Sequence, residues 1–508
     1  MEARERRAKS NIIVSVIGRF VTAMCGLVVS KLLIQTYGSE AYGATDSIVK
    51  FLAYISLLDG GVSGVARAAL YKPLAMKDEK KISELMYKIQ HFFRIIAMIF
   101  VVYVLVLACT YKQFSHIECL DWASTFMLVI VIGMSTFMEY FLGFSYMILI
   151  NADQKTYVDQ IISIVTIFVN AVMVVIFVNL GFGLVFVKFI SCLVYGARPV
   201  VLWLYVRRHY NLTKPSKESV GKDSGEKDLL DQKWVGLAQH IAFVLHKNTD
   251  VVVLTFFGDL KLVAVYSVYF MVISGIEQLS MSFSSGMEAL FGELLAKKEY
   301  DTLDKTFSRY ESLISIVSGV LFTVTAVMIV PFVQIYTKEI TDVNYIYPAF
   351  ALLLTAASYL FCIRMPYHSL VIASGSFRQT QTAAFGEAVV NIVLSVALVI
   401  KFGLIGVAIG TVAAVSFRFL YYVFFLRREV MRRSGGLFVM RMICNTVSAV
   451  LVLASGSLIL SVFNITGYIT WGVCAGAVTL VAAVVWWLVD KWYNTYWLKK
   501  QINSGLIK

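Results

Sequence analysis

Long apolar runs alternate with short polar gaps along this chain, and within the runs the apolar positions are continuous. Runs of about 20 apolar residues predict helices long enough to cross a bilayer. Fourteen are present, at 11–36, 45–70, 92–110, 122–149, 157–178, 182–206, 236–257, 264–287, 311–335, 345–372, 382–401, 404–426, 440–462 and 467–490. A strand barrel would alternate every second residue instead, so the pattern predicts an all-α polytopic membrane protein with about 14 transmembrane helices. Two polar stretches carry a helical period of their own. In "EKKISELMYKIQHFF", Ile82, Leu85, Ile89 and Phe92 share one face opposite the lysines, and in "YDTLDKTFSRY" Tyr300, Leu303, Phe307 and Tyr310 do the same. Both predict amphipathic helices lying on the cytoplasmic face.

The chain also matches itself. Adding 220 to the number carries Gly38 to Gly258, Ala44 to Ala264, Ser47 to Ser267 and Ala69-Leu70 to Ala289-Leu290. It further carries Leu74, Lys77 and Glu79 to Leu294, Lys297 and Glu299. Six helices separate the copies, so both halves have the same orientation in the membrane. Two six-helix lobes in parallel pseudo-repeat are expected, with a substrate site between them. The expected organisation is an N-terminal lobe over 1–210 and a polar cytoplasmic linker over 211–233. A C-terminal lobe follows over 234–430, and two additional helices with a cytoplasmic tail occupy 431–508.

Composition agrees with this class: the 508 residues are 59% hydrophobic and 15% charged, with a net charge of +13. With the N-terminus inside, 32 of the 45 Lys and Arg fall in inside regions and four in outside loops. The excess charge is therefore a topology signal that places both termini in the cytoplasm, and a nucleic-acid partner is excluded as its explanation. The seven cysteines include no C-x-x-C pair, though Cys109 and Cys119 flank one short loop and have the spacing to pair. No P-loop, no H-E-x-x-H and no outside loop long enough for a catalytic domain occurs, so no enzyme, metal or cofactor is expected.

The remaining chemistry is the set of charges at bilayer depth, where each costs about 3 kcal/mol unless it meets a cavity or a partner. Asp59, Glu139, Arg198, Lys247, Asp250, Glu277, Arg364 and Arg418 fall near mid-membrane, with Arg19 and Glu387 toward the inner side and Arg67 at the inner end of helix 2. Arg19, Arg67 and Lys247, with Arg364 and Arg418, are the candidates for binding phosphate, which a guanidinium fork suits. Asp59, Asp250 and Glu277 are the candidates for a coupling proton or sodium ion, or for gating. Lys247 and Asp250 are also spaced to neutralise each other on one helix face. His240 and His246 do not share a face and read as packing or hydrogen-bonding residues.

The segment "YGSEAYGATDSIVKFLAYISLLDGGVSGVARAAL", with Gly38, Tyr42-Gly43 and Leu58-Asp59-Gly60, resembles the helix 1–2 signature of bacterial polysaccharide flippases of the O-antigen and capsule type. These belong to the multidrug/oligosaccharidyl-lipid/polysaccharide (MOP) superfamily. "KFGLIGVAIGT" at 401–411 is similar to that family's turn between helices 11 and 12. The resemblance implies two six-helix lobes that open alternately to either side of the bacterial cytoplasmic membrane. It implies export of undecaprenyl-diphosphate-linked oligosaccharide units, with the tail of the substrate left among the membrane lipids. Glycosyltransferases and a polysaccharide polymerase of the same pathway are the implied partners. Arg19 resembles a cavity arginine of the lipid II flippase branch. A lipid II flippase and a cation-coupled multidrug exporter are the alternatives within the superfamily. A membrane-embedded glycosyltransferase is the alternative outside it.

Overall fold

The computed structural model describes residues 2–213, 233–284, 286–431 and 433–498. Most of the expected linker, 211–233, lies outside them. Every regular element among the described residues is helical. Helix α1 spans residues 2–37, and Gly38 (φ 85°, ψ 163°) turns the chain into α2, residues 39–76. Then come α3 (Glu79–Ser115), α4 (Trp122–Ala152), α5 (Thr156–Asn179), α6 (Leu184–His209) and α7 (Lys233–Phe257). The second half holds α8 (Leu260–Ala296), α9 (Tyr300–Tyr336), α10 (Pro348–Ala373), α11 (Phe377–Phe402) and α12 (Leu404–Glu429). The last two are α13 (Gly435–Val462) and α14 (Tyr468–Trp492).

Twelve segments of the described residues are long and apolar enough to cross a membrane, and the first of them runs through the Gly38 kink. Dividing it there and adding α7 gives the fourteen expected helices, and the protein is a multi-pass membrane protein. The repeat is visible in element lengths. Helices α3 and α9 both have 37 residues, and α6 and α12 both have 26.

The amphipathic stretches do not lie flat as separate helices. Each is the first part of a 37-residue helix, α3 or α9, that continues into the membrane without a break. At 1.5 Å per residue such a helix is about 55 Å long and outreaches the hydrocarbon core. Its apolar face is covered by the protein: Ile82 and Ile89, and Leu303, Phe307 and Tyr310, are buried. The period seen in the sequence therefore reports a face packed on protein.

The chain divides into two compact units, Met1–Ala264 and Val265–Lys508, one helix later than the expected boundary at 234. Helix α7 packs with the first six helices through polar contacts. Ser47 and Thr255 hydroxyls lie 2.7 Å apart, Tyr54 and Thr249 hydroxyls 3.3 Å apart, and His240 Nε2 is 2.8 Å from the Ser56 carbonyl. Such bonds are favoured at bilayer depth, where no water competes for the partners. The second unit includes α13 and α14, which pack on α9. The Trp486 indole covers Gly319 so closely that a Cβ there would lie 2.4 Å from it, and its Nε1 donates to Thr323 Oγ1 at 3.3 Å.

Candidate functional site

Helices α2, α8 and α10 are interrupted and α4 carries a π turn, and charged side chains stand at three of these places: Asp59, Glu139 and Arg364. Helix α2 stops at Asp59, passes Gly60 (φ 55°) and Gly61 (φ 81°), and restarts as Val62–Met76. Left-handed backbone costs other residues about 1–2 kcal/mol, which is why glycine stands at both places. A Cβ at Gly61 or Gly64 would meet nothing, so neither makes a close-packed seam. The Asp59 carboxylate caps the restarted helix. It accepts from the Ser63 N–H at 3.3 Å and from the Ser63 hydroxyl at 2.9 and 3.1 Å. Helix α8 is interrupted in the same way, with Gly286 (φ 88°) leading into Met287–Ala296.

Helix α4 carries a π turn at Glu139–Gly143. Such turns insert one residue and re-aim a side chain, often at functional sites. Here the re-aimed side chain is Glu139, which joins a three-helix ionic cluster. Arg198 of α6 donates through Nη2 to Asp159 of α5 at 2.8 Å and through Nη1 to Glu139 at 3.4 Å. The Arg198 Nε is buried with no hydrogen-bond partner. Gly143 leaves room for the Glu139 carboxyl, which a Cβ there would approach to 3.0 Å. Tyr140 lies within electrostatic reach of both Asp59 and Glu139, so the broken part of α2 and the π turn of α4 face one neighbourhood of the first unit.

The second unit holds a counterpart. Helix α10 is interrupted at Arg364, between Pro348–Ile363 and Met365–Ala373. Arg364 donates to Glu387 of α11 at 2.8 Å, and Arg418 of α12 donates to the other oxygen of the same carboxylate. Arg418 Nε also donates to the Tyr422 hydroxyl at 2.9 Å, and the His368 ring stacks on Tyr422. The spacing of 220 that aligns the halves carries Arg198 onto Arg418. Equivalent arginines thus meet carboxylates from neighbouring helices, with opposite stoichiometry. The first cluster has one arginine for two carboxylates, the second two arginines for one.

The candidates named from the sequence are distributed as follows. In the first unit Arg19 is half-buried, Arg67 is exposed, Lys247 is half-buried and Asp250 is buried. Glu277 is buried in the second unit. Arg364 and Arg418 are each 4% exposed, and the structure gives them a protein partner, Glu387, that a reading as phosphate ligands alone left out. Asp159 was missed. It stands in the first turn of its helix, and only the approach of Arg198 from α6 shows that it belongs with the membrane charges. The Arg198–Arg418 correspondence was the available signal.

No protein-family profile matches the sequence, and no curated protein matches it. Solved structures do match. The lipid II flippase MurJ, in an inward closed conformation, is 14% identical over 95% of this chain and 99% of its own, with a TM-score of 0.66. The MATE multidrug transporter DinF-BH is 18% identical over 84% of this chain and 95% of its own, with a TM-score of 0.59. An inward-facing multidrug resistance MATE transporter of the MOP superfamily is 14% identical over 80% of this chain and 97% of its own, with a TM-score of 0.58. At these identities the likeness is one of fold: this chain has the fold of MOP-superfamily transporters.

Proposed function

We propose that this protein is a flippase that moves undecaprenyl-diphosphate-linked oligosaccharide units across the bacterial cytoplasmic membrane by alternating access, with both termini cytoplasmic, for cell-surface polysaccharide synthesis. The observation that carries the reading is the extent of the fold likeness. A lipid flippase covers 95% of this chain, the two multidrug transporters 84% and 80%. The difference is large enough to hold α13 and α14.

In this reading Arg19, Arg67 and Lys247 meet the diphosphate, whose oxygens suit guanidinium and ammonium donors. Arg364 and Arg418 join them only when Glu387 releases its hold, so a phosphate there would exchange with a carboxylate. Asp59, Asp250 and Glu277, with the Glu139–Asp159 pair, supply carboxylates for a coupling proton or sodium ion. Glycosyltransferases would make the substrate on the inside and a polymerase would consume it outside.

Vesicles carrying the purified protein and a fluorescent diphosphate-linked oligosaccharide lipid test this. The lipid becomes accessible on the far side with the wild-type protein, and Arg19→Glu abolishes the movement at unchanged expression. Transport that survives Arg19→Glu removes the phosphate role. Cation-driven efflux of organic cations without lipid movement selects the multidrug exporter instead.

A further inference from the structure

A pocket of about 990 Å³ opens in the second unit, where α8, α10 and α12 end together. One wall is a single face of α12, with Tyr421, Phe424, Phe425 and Arg428 at the i, i+3, i+4, i+7 spacing that aligns side chains along a helix. The facing wall is the turn from α10 to α11, where the Ser374 and Ser376 hydroxyls lie 2.9 Å apart. The Tyr421 hydroxyl closes the back by donating to the Gln379 carbonyl at 3.0 Å. The third wall is α8, where Gly292 leaves the space open: a Cβ there would meet nothing within 4 Å.

Charge and level say what fits. Lys297, Lys298, Arg378, Arg427 and Arg428 are exposed around this end. Of the nearby carboxylates, Glu293 already holds Lys297 at 2.5 Å, Glu299 is exposed beside Tyr300, and Glu429, which itself lines the pocket, makes a solvent-exposed 3.3 Å pair with Arg428. Phe424 is 63% and Tyr300 is 55% exposed, the pattern of an interfacial aromatic belt below a basic rim. An apolar wall that ends in cations at the headgroup level matches one chemistry: a chain below and a negative phosphate above.

We propose that this pocket is a binding site for a resident anionic phospholipid of the cytoplasmic leaflet. Its phosphate meets Arg428 and the Ser374–Ser376 hydroxyls, and an acyl chain lies along Phe424 and Phe425. The site does not depend on the transport reading, and its assignment to the cytoplasmic leaflet rests on the proposed orientation with both termini cytoplasmic.

The test uses the full chain purified in mild detergent, with phosphatidylglycerol and phosphatidylcholine of the same chain length as probes. Native mass spectrometry should show phosphatidylglycerol retained in preference to phosphatidylcholine, and its addition should raise the thermal midpoint, because a ligand bound only to the folded state stabilises it. Arg428→Gln should lower retention about fivefold, the scale of one cation at a membrane surface. Gly292→Phe should fill the pocket and abolish retention without lowering the lipid-free midpoint, because the change meets open space and removes a helix-weakening glycine. Equal retention of the two lipids, or full retention by both variants, overturns the proposal. Displacement of phosphatidylglycerol by the diphosphate-linked oligosaccharide lipid overturns it too, since the pocket would then belong to the transported molecule.

Discussion

Arg198 and Arg418 show how one residue type serves two ends. Each sits at the same register of its repeat, and each draws carboxylates from two neighbouring helices or shares one with a second arginine. At bilayer depth a charge must be matched, so removing one partner costs more than the pair contributes. Glu387→Gln leaves two buried guanidinium groups without their carboxylate and should cost about 3–5 kcal/mol. The check is the thermal unfolding midpoint in detergent, which should fall well below that of an exposed control such as Lys401→Gln. The Asp59 carboxylate poses the opposite question, because its visible work is capping. Asp59→Ala removes the acceptor for Ser63 and should cost about 1 kcal/mol. Asp59→Asn keeps an acceptor oxygen but not the charge, so it should hold stability and lose ion-dependent transport. Normal ion dependence in Asp59→Asn would leave Asp59 a cap and nothing more.

At the scale of the element, the hydrophobic runs located every spanning helix but none of the breaks. Hydropathy averages over a window of residues, whereas a break is decided by two or three φ/ψ pairs. Gly60 and Gly61 advertised a bend through their identity. The interruption at Arg364 has a residue signal too, Pro366, which has no N–H to continue the helix, whereas the π turn at Glu139–Gly143 has no such residue at its start. Cys109 and Cys119, which flank the loop between α3 and α4, are separate thiols. Cys119 is exposed, but protein atoms around its sulfur desolvate the thiolate, and this, with the Glu40 carboxylate next, pushes the thiol up to about 11. Only the thiolate attacks, so labelling of Cys119 by an impermeant maleimide should be slow at pH 7 and rise about tenfold per pH unit toward pH 10. Glu40→Gln should speed it at pH 7. A rate that levels off between pH 8 and 9, as for an ordinary thiol, would contradict the raised value.

Over the whole molecule, α13 and α14 are the part with no counterpart in the repeat, and their attachment is ionic as well as apolar. Arg441 of α13 bonds Asp490 of α14 and donates to Ser312 of α9 at 2.6 Å, with its guanidinium 3.8 Å above the Tyr493 ring. Arg433 joins the same end of α9 through Glu311 at 3.2 Å and Ser308 at 2.8 Å. Arg441→Leu strands the Asp490 carboxylate and should cost about 3–5 kcal/mol. Limited proteolysis should then cut between α12 and α13, at 430–434, faster than in the wild type; an unchanged cleavage rate would show that the apolar Gly319–Trp486 contact suffices. The sequence alone determined the helix count, the membrane setting and the two-fold repetition, because continuous apolar runs and a constant residue spacing are properties of the chain itself. Tertiary structure decided which charges are partners, where α7 belongs and what the amphipathic faces cover. Those outcomes depend on side chains as far apart in sequence as Arg364 and Glu387, 23 positions, or Ser47 and Thr255, 208 positions, meeting within a few ångströms, and no local pattern records that distance.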